Sequence, residues 1–100
     1  MEIIKEQNGD SLLMAVSGRL DTNAASLLMK ELEENLTSDV KHFVLDMEKC
    51  DYVASSGLRG ILWAQKKMNS YGGDMVVKNV IGDVMEVFEM TGFADILNFA

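Results

Sequence analysis

Three short apolar runs, Leu12–Val16, Phe43–Met47 and Met75–Val77, are set apart by two longer segments whose apolar residues recur three and four positions apart. No other feature restricts the fold as much. Apolar runs of this length suit strands buried in a sheet, and strand, helix and strand in series make parallel crossovers. The first helical segment opens at Asp21 and Thr22, whose side-chain oxygens can accept from the free amides of a helix start. Its residues Ala25, Leu28, Met29, Leu32 and Leu36 share one face, while Glu31, Glu33 and Glu34 fall elsewhere and read as solvated. The second segment runs from about Ser56 to Tyr71 and stops at Gly72-Gly73.

Ahead of these, Ile3–Gln7, Asn8-Gly9-Asp10 and Leu12–Val16 read as a strand, a tight turn and a strand. Asn-Gly is a strong hairpin signal because both residues tolerate positive φ. Behind them, Asp83–Met90 predicts a short helix with Val84, Val87 and Phe88 inward, ended by Thr91-Gly92. Ile96–Phe99 predicts a last strand. The order ββαβαβαβ describes an α/β fold, with a mixed, mostly parallel β-sheet opened by a hairpin and helices packed against it. There is no proline, repeat or low-complexity linker, so residues 1–100 are expected to form a single domain.

Sixteen acidic against nine basic residues give a net charge of −7, which opposes direct binding of nucleic acid and favours a basic partner. One cysteine cannot form an internal disulfide, which fits a reducing compartment. Met1–Gln7 carries charge where an export signal needs an apolar run. No apolar stretch approaches the ~20 residues that cross a bilayer. A cytoplasmic protein without membrane contact is expected.

The segment Asp51-Tyr-Val-Ala-Ser-Ser-Gly-Leu-Arg59 carries the strongest functional signal. It reads as a loop from Asp51 to Ser56 between a strand and a helix, the kind of turn where ligands and regulatory groups gather in open α/β sheets. Ser55 and Ser56 stand where a helix has unpaired amides and the positive end of its dipole. Gly57 lets the backbone approach another surface closely. A phosphate on Ser55 would add about −1.5 to −2 charges, which the helix end can hold while a docked partner meets them directly. The same pattern also fits a serine that only caps its helix.

Along the second helix, Leu58, Ile61, Leu62, Gln65 and Met68 gather on one side, with Ser56, Gly60, Trp63 and Lys67 opposite. Trp63 is therefore expected to point outward near the serine turn, as a partner anchor or lying flat on neighbouring stems. Arg59 beside it can pair with an acidic partner or a phosphate. Met85, Met90 and Phe93 read as core filling or an adaptable surface patch.

Catalysis finds no support. A nucleophilic Ser55 needs a base and an orienting acid, and the single histidine, His42, starts the preceding strand. His42 and Cys50 show no metal-ligand spacing, and Gly72-Gly73 lacks the Lys-Ser/Thr of a phosphate loop. No enzyme, metal or cofactor is expected.

Gly18-Arg-Leu-Asp21, Leu45-Asp-Met47, Tyr52-Val-Ala-Ser-Ser-Gly-Leu-Arg59, Tyr71-Gly-Gly-Asp-Met-Val-Val77 and Val84-Met-Glu-Val-Phe-Glu-Met-Thr-Gly-Phe93 together resemble the STAS family, which includes the bacterial anti-anti-sigma factors. The resemblance spans nearly the whole chain. It implies a STAS-type fold and an anti-sigma factor antagonist that binds an anti-sigma factor serine kinase to release a sigma factor. It also implies Ser55 as the phosphorylation site that switches binding off, and a phosphatase that resets it. Asp21, Ser56, Gly57, Arg59 and Trp63 are the expected partner-binding residues. Ala54 stands where the family often has Asp or Ser, and its side chain cannot hydrogen-bond. Many relatives continue into a closing helix, so a chain ending at Ala100 would expose apolar surface for a weak homodimer. The alternative is a constitutive STAS scaffold or small-ligand-binding module whose serine is only a cap.

Overall fold

The hairpin forms one residue later than Asn8-Gly9 predicts. In the computed structural model, which describes residues 1–100, strands β1 (Glu2–Asn8) and β2 (Ser11–Leu20) pair antiparallel with Asn8 opposite Ser11. Gly9 and Asp10 therefore make the tip. Gly9 has a φ of +60° while Asp10 keeps a negative one, the type II′ pattern that needs glycine only at its first position. This register buries Leu12, Met14 and Val16; a slip by one residue would turn all three to the other face.

Helix α1 (Thr22–Asn35) begins where the sequence predicts, with Asp21 as its cap. Ala24, Ala25, Leu28 and Leu32 are buried, and Met29 is half-buried. The Lys5 ammonium holds Glu31 Oε2 at 2.6 Å and so ties α1 to β1. That hydrogen bond keeps the Glu31 carboxyl below its usual range, against a smaller opposing effect of desolvation.

Strand β3 (His42–Val53) pairs parallel to β2 and reaches well past Met47. Asp51–Val53 is therefore strand, not the loop expected there. Between Ala15 and Arg19 the register against β2 slips twice, giving β3 an extra residue each time. Such bulges bend and twist a strand. Beyond Met47 the buried residues are Cys50 and Val53, every third instead of every second. That broken alternation explains why the sequence pattern does not reveal the strand.

Helix α2 (Ser55–Ser70) follows after one connecting residue, and β4 (Asp74–Lys78) then pairs parallel to β3. The sheet order is β1-β2-β3-β4. Met75 and Val77 bury their side chains with Phe43, Leu45, Met14 and Leu12. Helix α3 (Gly82–Met90) buries Val84 and Phe88, with Val87 only half-buried.

The strand expected at Ile96–Phe99 does not form. A 3₁₀ turn at Phe93–Asp95 occupies this stretch, and the backbone amides of Ile96 and Leu97 both donate to Phe93 O. Those bonds keep the chain coiled until Asn98, so only a single bridge, Phe99 to Val77, reaches the sheet. Phe99 is fixed there by the ring of Phe88, edge-on at 5.4 Å between centroids. No helix is long and apolar enough to cross a membrane.

Candidate functional site

Two helices start at the same end of the sheet, because β2 and β3 run parallel and end in register at Leu20 and Val53. Asp21 and Ala54 follow as the caps of α1 and α2. The amide of Ala54 donates to Leu20 O at 2.8 Å, so the two starts are hydrogen-bonded together. Asp21 Oδ1 accepts from Ala24 N at 2.9 Å. Ala54 offers no such bond, and no side chain caps α2.

Ser55 is therefore the first helical residue and not the cap. It is exposed at the helix start, where the amides of Ser55, Ser56 and Gly57 have no preceding turn to accept from them. A reading of this serine as a cap loses its basis, since the extended Ala54 holds that position. Arg59 is exposed one turn further along and on the same side of the helix as Ser55, at the i, i+4 spacing.

Ser56 turns toward α1. Its Oγ is buried without a hydrogen-bond partner. Beside it runs an open cleft of about 370 Å³ between the two helices, lined by Thr22, Met29, Arg59, Gly60 and Trp63 among others. The structure thus brings Asp21, Ser55, Ser56 and Arg59 to one end of the molecule.

Gly57 behaves differently from the expectation. It is buried, and a Cβ there would come within 2.7 Å of Leu20 Cγ and 3.3 Å of Val53 Cγ1. The close approach it permits is between α2 and its own sheet. Gly60 is also buried, opposite Met29 Sδ, although helical spacing puts it outward. Trp63 is half-buried and packs against the core, with the Lys67 ammonium 5.9 Å from its ring centroid. Helix α1 covers the flank of α2 that a single-helix projection leaves open, so Trp63 forms a wall of the cleft and does not project freely. Leu62 is half-buried, and Ala64 takes a core position instead.

Two further residues flank the turn. Arg19 lies opposite Tyr52 across β2 and β3, its guanidinium 4.1 Å from the ring centroid. Tyr52 is 40 % exposed. The second register slip creates this pair, and nothing in residue spacing signals it. Two residues before Tyr52, Cys50 is buried, its Sγ donating to Tyr52 O at 3.5 Å, and burial pushes its thiol pKa up. His42, at the other end of β3, pairs with Asp74 at 3.0 Å and has no access to Ser55.

The family model for the STAS domain matches residues 2–100. BtrV of Bordetella bronchiseptica, proposed as an anti-sigma factor antagonist, is 29% identical over 100 residues, which is 100% of this chain and 86% of BtrV. An anti-sigma F factor antagonist of Paenibacillus polymyxa is 29% identical over 98 residues, 97% of this chain and 84% of the relative. Among solved structures, the unphosphorylated form of the anti-sigma factor antagonist SpoIIAA superposes with a TM-score of 0.85 at 18% identity, over 99% of this chain and 88% of that one.

Proposed function

The chain belongs to the STAS domain family, and on that premise we propose that it is an anti-sigma factor antagonist switched off by phosphorylation of Ser55. In this reading it binds an anti-sigma factor serine kinase and so frees a sigma factor. The kinase then phosphorylates Ser55 and the complex separates, and a phosphatase restores the first state. The cycle belongs in the cytoplasm, where kinase and sigma factor meet, and asks no catalysis of the chain itself.

One observation carries the reading: the Ser55 hydroxyl is exposed on the first turn of a helix whose amides no side chain caps. A phosphate there gains from the free amides and the helix dipole. Arg59, four residues on, can pair with it at moderate cost in side-chain order. The folded chain therefore tolerates the charge, whereas a partner seated over Asp21, Arg59 and the Trp63 edge of the cleft must desolvate it. Gly57 acts from below, by letting α2 sit against Leu20. Ala54 leaves the turn without a side-chain acceptor, which keeps the amides available to phosphate.

The test combines the purified chain, its cognate kinase and ATP, with the modified residue located by mass spectrometry. Phosphate is expected on Ser55 and absent from a Ser55→Ala variant. Ser55→Asp should weaken kinase binding about 100-fold, a like-charge penalty of roughly 3 kcal/mol. An unmodified Ser55 beside an active kinase, with unchanged binding by Ser55→Asp, would replace the switch by a constitutive scaffold.

A further inference from the structure

The region after Lys78 differs from the rest of the chain in both charge and exposure. Residues 79–100 contain Asp83, Glu86, Glu89 and Asp95 but no Lys, Arg or His. On α3, Val84 and Phe88 face inward, so Asp83, Glu86 and Met90 form the outward stripe at i, i+3 and i+7. Met90 is 79 % exposed, more than any other large hydrophobic residue, and Ile96 beyond the 3₁₀ turn is 51 % exposed. Phe93 and Met85 are half-buried against the core. None of these residues lines the clefts around Ser56 and Trp63.

We propose that this corner, formed by α3 and the turn after it, is a second docking surface, for a basic amphipathic helix of a partner protein. The apolar contact comes from Met90 and Ile96. Methionine is unbranched and polarizable, and adapts to partner side chains of varied shape. Asp83, Glu86, Glu89 and Asp95 on α3 and the turn after it, with no basic residue in the segment, give the corner one sign of charge, which selects lysine and arginine flanks. The same charge works against two other occupants. A second copy would bring its own acidic stripe against this one, and an anionic membrane would repel it.

The surface is separate from the serine turn, so the two can be tested apart. The probe is an amphipathic helical peptide of about 18 leucine and lysine residues, titrated into the full chain labelled at its methionine and isoleucine methyl groups. The Met90 and Ile96 methyl signals should shift, and Ser55→Asp should leave the affinity unchanged. Met90→Ser and Glu86→Lys, both at exposed positions, should each weaken binding about tenfold, and Glu86→Lys should also flatten the salt dependence.

Equal binding of a leucine–glutamate peptide would overturn the proposal. So would affinity unmoved by both variants, or shifts confined to the Trp63 cleft. Binding of the chain to vesicles of phosphatidylcholine and phosphatidylglycerol through Met90 would assign the surface to lipid, and Met90 shifts on simple dilution would assign it to self-association. Either result also overturns it.

Discussion

Helices α1 and α2 leave the same end of the sheet from neighbouring strands, yet they start in opposite ways. At α1 the carboxylate of Asp21 accepts from Ala24 N and so serves one of the free amides. At α2 the equivalent position is Ala54, a methyl group that serves none. The difference shows how one sheet can hold a structural helix start and an open one side by side. The first has its Ala24 amide satisfied from within the chain; the second is left to water or to an added anion. Both helices are held by their buried faces; at their starts α1 adds the Asp21 cap and α2 the close approach at Gly57.

The largest effect is expected where that packing is broken. Gly57→Val would drive side-chain carbons into Leu20 and Val53 and should cost roughly 2–3 kcal/mol, measured by urea denaturation. A loss below about 0.5 kcal/mol would mean that α2 does not depend on this contact. Next comes Asp21→Ala, which removes the only cap of the pair and should cost about 1 kcal/mol; equal stability of the two proteins would contradict the contrast. Ala54→Asp supplies the missing cap and should add roughly 0.5 kcal/mol, seen as a higher urea midpoint. If Ala54→Asp instead destabilises, the α2 start is closed by its surroundings.

The smallest effect lies further along α1, which Lys5 joins to β1 through Glu31. The Glu31 pKa is lowered in the folded chain, so its contribution is present above the ordinary carboxylate range. It fades as pH falls through the lowered value. Lys5→Ala should return the Glu31 titration, followed by NMR, toward the ordinary range, with little change in the urea midpoint near neutral pH.

Much of this was legible in the sequence, because amphipathic spacing and caps are local. Asp21, Leu28 and Leu32 announce α1, and Phe43, Leu45 and Met47 announce the first half of β3. The remainder depends on neighbours that spacing does not describe. Two register slips in β3 break its alternation, so Cys50, Tyr52 and Val53 look like loop. Gly9 outcompetes Asn8 for the hairpin tip because a II′ turn needs one positive φ, not two. Gly60 and Trp63 read as outward only while α1 is ignored. At the site itself, the strand's extension to Val53 moves the cap to Ala54 and frees Ser55 from that role.

Cys50 gives the serine turn a clock. Its sulfur is buried near the end of β3, bonded to the Tyr52 carbonyl, and its burial disfavours the thiolate that alkylating reagents need. Modification therefore waits for the end of β3 to part from its neighbours, so the labelling rate under native conditions reports how readily it opens. Labelling the chain with and without phosphate on Ser55 would translate a change of charge at the surface into a change of tempo underneath it.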